Sequence, residues 1–176
     1  MPGHVYVDET KRRGYLLAAA VLMPSGQDTV RRTLTSLVLP GQHRLHMNSE
    51  RDSRRRQIVS AIVGSGVQAT IYDAGRRYRT ERDARAACLR AIVHDAASGG
   101  HDLLVLETDE SLVSFDRRTL YFAAREEGCD QMLRYEHRSA GSEHLLCIPD
   151  AIAWCWANGG DWKRRITPAV AGVRTL

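Results

Sequence analysis

Short apolar runs and segments of helical period alternate along the chain. Two runs open it, at residues 4–10 and 15–23, with the polar segment KRRG at 11–14 between them. The second run is almost free of polar residues, which is typical of a strand that is covered on both faces. Because the intervening segment is short, the two runs are predicted to pair as an antiparallel hairpin.

Segments whose apolar residues recur with helical spacing follow the hairpin, and they alternate with further strand-like segments. Apolar residues recur at helical spacing over 30–38, over roughly 50–64 after a short extended piece at 43–47, and most clearly over 80–97, where Gly99 and Gly100 end the helix. Further helices are predicted over 112–128 and 148–158, the latter ending at Asn158, Gly159 and Gly160. Strands are predicted at 67–74, 102–110 and 132–138, with a weaker signal at 170–176.

Strands that alternate with helices after an initial hairpin favour an α/β fold, with a mixed sheet flanked by helices. The 176 residues fit one domain spanning 1–176, because single domains commonly run to about 100–200 residues. No internal repeat, low-complexity segment or interdomain linker interrupts the pattern. We therefore expect a single α/β domain.

Acidic residues stand where predicted strands end. Asp8 closes the first strand, Glu107 directly follows the apolar run LLVL, and Asp150 opens the late helix. In open α/β sheets, binding sites gather beyond the carboxyl ends of strands. Mg²⁺ and Mn²⁺ prefer hard oxygen ligands such as carboxylates. These residues are therefore predicted to converge as ligands of one or two divalent metal ions, with Asp8 as the bridging ligand and Glu107 and Asp150 as flanking ligands.

Structural interpretations of the same acids remain open. Acidic residues at strand ends are common because loops are solvated. Asp150 follows Pro149, and an acid in the first helical turn is favoured by the helix dipole without any metal. Asp109 and Glu110 compete with Glu107 for the same role, because the register of the strand is uncertain by one or two residues.

His46 and Glu50, in the segment HMNSE, are two further candidates for the site. A histidine four residues before a glutamate could place a proton-transfer group near a metal-bound water. The same letters also fit a helix cap in which Asn48 or Ser49 is the N-cap residue.

The basic residues are almost all arginines. The formal net charge is +4, and of 25 basic residues only Lys11 and Lys163 are lysines. Arginine suits bidentate contacts with phosphate, although such a composition can equally reflect GC-rich coding. We select three arginines as candidates for contacts with substrate phosphates, namely Arg54, Arg76 and Arg77.

Several other classes of site lack their motifs. The histidines show neither HxxxH nor HExxH spacing, which argues against a zinc hydrolase. No GxSxG, GxxxxGK[ST] or GxGxxG segment is present, and the four cysteines, predicted to be buried and reduced, have no CxxC spacing. No run approaches the roughly 18 apolar residues of a membrane span, and the first residues do not resemble a signal peptide. A cytoplasmic protein without membrane contact is expected.

The order of the motifs resembles a bacterial family called domain of unknown function 3800. The resemblance is carried by VYVDET, YLLAAAVL, HMNSERDSRRRQIVSAI and LLCIPDAIAW, and it extends from about Val5 to Trp156. The opening reads DETK where that family usually shows DESG. The resemblance implies a ribonuclease-H-like fold and a metal-dependent, nuclease-like site. Asp8, Glu107 and Asp150 would carry this site, with Glu50 or His46 completing it.

The expected activity is therefore hydrolysis of a nucleic-acid phosphodiester, in RNA or DNA, with Mg²⁺ or Mn²⁺ as cofactor. One alternative is a non-catalytic member of the same fold that binds nucleic acid or a protein partner. Another is a strand-transfer or resolving enzyme, which would also need a DNA-reading domain. A homodimer is compatible with apolar surface from Trp154, Trp156 and Trp162, although core packing explains the first two equally well.

Overall fold

Six strands form one mixed sheet in the computed structural model, which describes residues 1–176. The strand order is β5-β4-β1-β2-β3-β6. β1 is antiparallel to β2 and parallel to β4, while β3 is antiparallel to β2 and parallel to β6, and β5 runs parallel to β4. The predicted hairpin and mixed sheet are confirmed. The strands are β1 (His4–Thr10), β2 (Tyr15–Leu22), β3 (Gln68–Gly75), β4 (Leu103–Glu107), β5 (Arg134–Arg138) and β6 (Val170–Thr175).

Helices cover both faces of the sheet. They are α1 (Pro24–Ser36), α2 (Asp52–Gly64), α3 (Glu81–Ser98), α4 (Val113–Glu126), α5 (Cys147–Asn158) and α6 (Gly160–Ile166). α1, α2, α5 and α6 contribute to the core on one face, and α3 and α4 to the core on the other. Because both faces of β2 are buried, its sequence carries an unbroken apolar run rather than an alternating one.

Some boundaries differ from the sequence-based expectations. α1 begins at Pro24, since proline fits the first turn of a helix. Gly159, at φ 70°, ends α5 as expected, but the chain then re-enters a helix at Gly160, so α6 was missed. The capping interpretation of HMNSE is wrong, because Asn48 and Ser49 lie in a 3-10 turn and α2 follows Arg51 without a side-chain cap.

The register of β1 and β4 positions the acidic residues. Val7 lies beside Leu106, so Asp8 and Glu107 follow at the same level on neighbouring parallel strands. Side chains alternate between the two faces of a strand. Tyr6 and Val105 face the core that contains α5, and therefore Asp8 and Glu107, two residues further on, point towards the α5 side.

All four cysteines and one of the three tryptophans, Trp154, are buried. All four cysteines are buried and unpaired, as predicted. Trp154 is buried and packs edge-to-face on Trp162 with ring centroids 5.3 Å apart, while its indole N–H donates to Asn48 Oδ1. These two tryptophans thus stabilise the packing of α5 against α6. None of the helices combines the length and apolar character needed to cross a membrane.

Candidate functional site

The three acids predicted from the strand ends lie in one cluster. Asp8 and Glu107 stand level at the carboxyl ends of β1 and β4. Asp150, in the first turn of α5, approaches them from the face that both side chains share. Their charges interact, because both Asp150 and Glu107 raise the pKa of Asp8. Register and helix packing thus unite residues that are far apart in the sequence.

Glu107 occupies a different environment from its two acidic neighbours. It is the last residue of β4, whereas Asp109 and Glu110 lie in the turn that follows. One oxygen of Asp109 accepts hydrogen bonds from the backbone N–H and the hydroxyl of Ser111, at 3.0 and 2.6 Å. Of the three candidates in this segment, Glu107 is therefore the one whose position is set by the sheet.

One oxygen of each clustered carboxylate is bonded within the protein. Asp8 Oδ1 accepts the Glu9 amide at 2.8 Å, and Asp150 Oδ2 accepts the Met47 amide at 2.9 Å. Glu107 Oε1 accepts from Arg44 Nη1 at 2.6 Å. The second oxygen of each has no hydrogen-bond donor, and Asp150 Oδ1 lies 3.8 Å from His46 Nε2. Three carboxylates are thus oriented while each keeps an oxygen for another ligand.

The cluster is electrostatically unfavourable without a cation. Burial and the neighbouring charges of Asp150 and Glu107 raise the pKa of Asp8 well above its usual range. Burial also raises the pKa of Asp150; Glu107 acts in the same direction, and the Met47 amide and His46 act in the opposite one. A carboxylate whose ionised form is destabilised in this way is stabilised by a proton or by a bound cation.

The two remaining site candidates, His46 and Glu50, lie in different surroundings. The ring of His46 lies between Asp150 and Ser49, whose Oγ is 3.4 Å from Nδ1. Glu50 is buried, contacts the Gln42 amide and lies 3.7 Å from Arg54 Nε. The structure thus brings His46 to the acidic cluster, while Glu50 holds the loop that precedes α2.

The three arginines selected for phosphate contact also differ. Arg54 is engaged internally, with Gln57, the Leu37 carbonyl and Glu50 around its guanidinium. Arg77 donates to the carbonyls of Leu176 and Asp73. Arg76 is exposed and has no hydrogen-bond or ion-pair partner within the chain. Only Arg76 is therefore free to contact a ligand without breaking an internal bond.

Two features of the site were not found from the sequence. Arg44 fixes Glu107, but its position in HRLH carries no motif. Glu9 points to the other side of β1 from Asp8, where Arg85 Nη1 bonds it at 2.7 Å and the Tyr15 hydroxyl donates to it. Arg85 continues the network to Asp116 at 2.6 and 2.7 Å. Such contacts across elements leave no spacing signal in the sequence.

A cleft of about 450 Å³ opens at the ends of β1 and β4. Its acidic lining comes from Asp8, Glu9, Glu107, Asp109 and Glu110, and Arg85 adds a positive charge. Asp150 does not line this cleft, because α5 lies on the opposite face of the sheet from α3 and α4. Asp8 and Glu107 can therefore be reached through this cleft, whereas Asp150 lies outside it.

The donor chemistry of the cluster fits a hard divalent cation. Carboxylate oxygens are the ligands that Mg²⁺ and Mn²⁺ prefer, and the three unbonded oxygens could supply them. No set of three acidic, histidine or cysteine side chains is already gathered closely enough to hold an ion. Binding would thus require these side chains to move, including Glu107, which is paired with Arg44.

Comparisons with known proteins bear on the fold. No family model matches the chain, and no curated protein matches it in sequence. Among solved structures, the chain is similar to one from the PCNA:RNase HII complex of Archaeoglobus fulgidus, with a TM-score of 0.62 and 11% sequence identity. The match covers 89% of this chain and 73% of the other. The similarity supports the resemblance drawn from the motifs at the level of the fold, not at the level of family membership. The chain has a ribonuclease-H-like α/β fold.

Proposed function

We propose that this protein is a divalent-metal-dependent nuclease that hydrolyses phosphodiester bonds of nucleic acid. The observation that carries the proposal is the clustering of Asp8, Glu107 and Asp150, each with one oxygen oriented by the protein and one unbonded. The ribonuclease-H-like fold, which occurs in RNase HII, is consistent with this chemistry. We further propose a cytoplasmic location for this activity.

Residues of the chain would hold Mg²⁺ or Mn²⁺ through the three carboxylates. When bound, such an ion stabilises the charge that develops on a phosphodiester during hydrolysis and activates water. Asp8 would be central, because it lies between Glu107 on the next strand and Asp150 on α5. The repulsion that raises the pKa of Asp8 would be relieved by the cation, which gives binding a physical driving force.

His46 and Arg44 would assist without being ligands. The imidazole of His46, 3.8 Å from Asp150 Oδ1, is placed to exchange a proton at the rim of the cluster. The guanidinium of Arg44 orients Glu107. Arg76 would contact substrate phosphates, whereas we assign Glu50, Arg54 and Arg77 to internal packing.

The test is cleavage of labelled RNA and DNA oligonucleotides by wild-type protein, Asp8→Asn and Asp150→Asn, in Mg²⁺, in Mn²⁺ and in EDTA. We expect metal-dependent cleavage by the wild type and a loss of at least 100-fold in both variants, since each removes a charged ligand. Glu107→Gln and Asp109→Asn, compared side by side, decide which acid of that segment acts. Glu107→Gln should be impaired and Asp109→Asn close to wild type.

Glu126→Gln is the matched control, because Glu126 is an exposed acid on α4 with no ion-pair partner. It should cleave like the wild type. Circular dichroism and thermal unfolding of each variant separate a lost site from a lost fold. Full activity in Asp8→Asn would contradict the assignment.

A second candidate function is a non-catalytic module that binds nucleic acid. It is favoured by the ion pair between Arg44 and Glu107, which neutralises one carboxylate internally, and by the absence of a preassembled group of metal ligands. Oligonucleotide binding that persists in EDTA, with no cleavage of any substrate in either metal, would support this candidate over the nuclease.

A further inference from the structure

Two arginine-rich loops meet at the same end of the sheet as the acidic cluster. The β1–β2 turn reads KRRGY at 11–15, and the β3–α3 loop begins GRRYR at 75–79. Tyr15 pairs with Gly75 across the sheet. A Cβ on Gly14, which has φ +116°, would lie 3.0 Å from the backbone of Gly75. The two loops are thus in backbone contact, which the glycines permit and side chains would prevent.

Most arginines of these loops have no partner in the protein. Arg12, Arg13, Arg76 and Arg79 are exposed, and none of them forms an ion pair or a side-chain hydrogen bond. Elsewhere many arginines are paired, as with Arg85 and Asp116 or Arg138 and Glu143. Arg76 and Arg79 line the same cleft, whereas the guanidinium of Arg13 lies beside Gly159 at the end of α5. Unpaired guanidinium groups in one cleft form a site for a polyanion, because each can bind a phosphate without losing an internal bond.

A chain of clefts connects this surface to the carboxylates. The cleft that holds Asp8 and Glu107 shares Glu9, Arg85 and Asp109 with a second cleft, of about 200 Å³. The second shares Lys11, Tyr15 and Glu81 with a third, of about 280 Å³, whose lining includes Arg76, Tyr78 and Arg79. Of the acids along the way, Glu81 pairs with Lys11 at 2.8 Å and Glu9 with Arg85, whereas Asp109 has no ion-pair partner.

The distance along this groove corresponds to a few nucleotides. Asp8 is level with Ala18 on β2 and, through it, with Ile71 on β3, and Gly75 lies four residues further along β3. With strands about 4.8 Å apart and a rise of about 3.3 Å per residue, the backbone positions of Asp8 and Gly75 are roughly 16 Å apart. Tyr78 stands at the far end, partly exposed between Arg77 and Arg79.

We infer that this groove binds a single strand of nucleic acid, whose backbone runs from the acidic cluster to the two loops, with Arg76 and Arg79 on its phosphates and one base on Tyr78. A tyrosine ring can stack only on a base whose face is free, which favours a single strand over a duplex. The inference deepens the proposed function and rests on it for the position of the scissile phosphate.

The test is equilibrium binding of fluorescent single-stranded RNA and DNA of one sequence, measured by anisotropy in EDTA at several salt concentrations. Arg76→Gln with Arg79→Gln should weaken binding at least 10-fold and reduce the slope of log K against log salt by about 1.4, since each lost single-strand phosphate contact contributes about 0.7. The difference in affinity between the RNA and the DNA of the same sequence shows which sugar the groove prefers.

Tyr78→Ala should lower affinity about 5-fold or more without changing the salt slope, because stacking releases no counterions, and Tyr78→Phe should restore it. The matched control is Arg117→Gln with Arg118→Gln, which removes two exposed, unpaired charges from α4 and should bind like the wild type. Thermal unfolding confirms that each variant is folded.

Equal losses in the loop and α4 variants would overturn the inference, as would tighter binding of blunt duplex than of single strand. The outcome is separable from the proposed function. If the wild type cleaves and the loop variants bind normally, the binding groove is rejected and the proposed nuclease activity stands. If the loop variants lose binding and the wild type does not cleave, the groove stands and the nuclease activity is rejected.

Discussion

At the scale of single residues, the acidic cluster depends on groups that hold the carboxylates rather than on the carboxylates alone. Each of the three has a different anchor: the Glu9 amide, the Met47 amide and the Arg44 guanidinium. The first two are backbone groups and are preserved in any side-chain variant. Arg44 is the one anchor that a substitution can remove.

Arg44→Gln is therefore predicted to lower metal-dependent cleavage by about 10- to 100-fold, the usual effect of losing a residue that orients a metal ligand. Steady-state kinetics over a range of Mn²⁺ concentrations provide the measurement, and higher Mn²⁺ should recover part of the rate. Arg44→Lys keeps a hydrogen-bond donor and a positive charge, so its cleavage rate should lie between those of the wild type and Arg44→Gln. An unchanged rate in Arg44→Gln would show that Glu107 needs no orienting partner.

At the scale of secondary-structure elements, a buried ion-pair network joins α3, α4 and β5. Arg85 of α3 bonds both oxygens of Asp116 of α4, and His137 of β5 lies 3.0 Å from Asp116 Oδ2. Burial acts to raise the pKa of Asp116, but the hydrogen bonds from Arg85 and His137 outweigh it and lower the pKa. The network also holds Glu9, and so supports the end of β1 that carries Asp8.

Asp116→Ala is predicted to destabilise the protein by about 3–5 kcal/mol, because it leaves the buried Arg85 charge without its carboxylate. Urea unfolding at neutral pH measures the loss. As the native pKa of Asp116 is lowered, its contribution is present above the unfolded pKa near 3.8 and disappears as the pH falls through the native value. The difference between wild type and Asp116→Ala should therefore shrink only in strong acid, and a difference that vanished at neutral pH would contradict the network's role.

At the scale of the whole molecule, the site and global stability are coupled. The pKa of Asp8 is raised in the native state. At Asp8 the native protein therefore binds more protons than the unfolded chain in the range above the usual pKa, and the contribution of Asp8 to stability falls as the pH rises through that range. A divalent cation would offset this loss, since it binds the folded cluster and not the unfolded chain.

Mn²⁺ at about 100-fold above its dissociation constant is predicted to stabilise the wild type by about 2.7 kcal/mol, which corresponds to a rise of about 5–10 °C in Tm. In EDTA, Asp8→Asn should melt above the wild type, because the repulsion is gone, and added Mn²⁺ should leave its Tm unchanged. Differential scanning calorimetry at pH 7 measures both effects. If added Mn²⁺ did not change the Tm of the wild type, the result would contradict a metal site.

The apolar pattern predicted most of the elements, because burial on one or both faces of a strand or helix imposes a period that can be read locally. The continuous run of β2 and the spacing in α3 are clear cases. Local signals failed where tertiary contacts decide the outcome. α6 begins at Gly160, directly after Gly159, which ends α5. Asn48 accepts a hydrogen bond from the indole of Trp154 and caps no helix.

The sequence by itself determined which acids stand at strand and helix ends, and the order of strands and helices that made their convergence plausible. Only the tertiary structure decided that Asp8 and Glu107 share a face with α5, since that depends on the register between β1 and β4. It also decided which arginines remain free. The partners of a guanidinium come from distant segments, as Arg85 and Arg44 illustrate, and no local pattern encodes them.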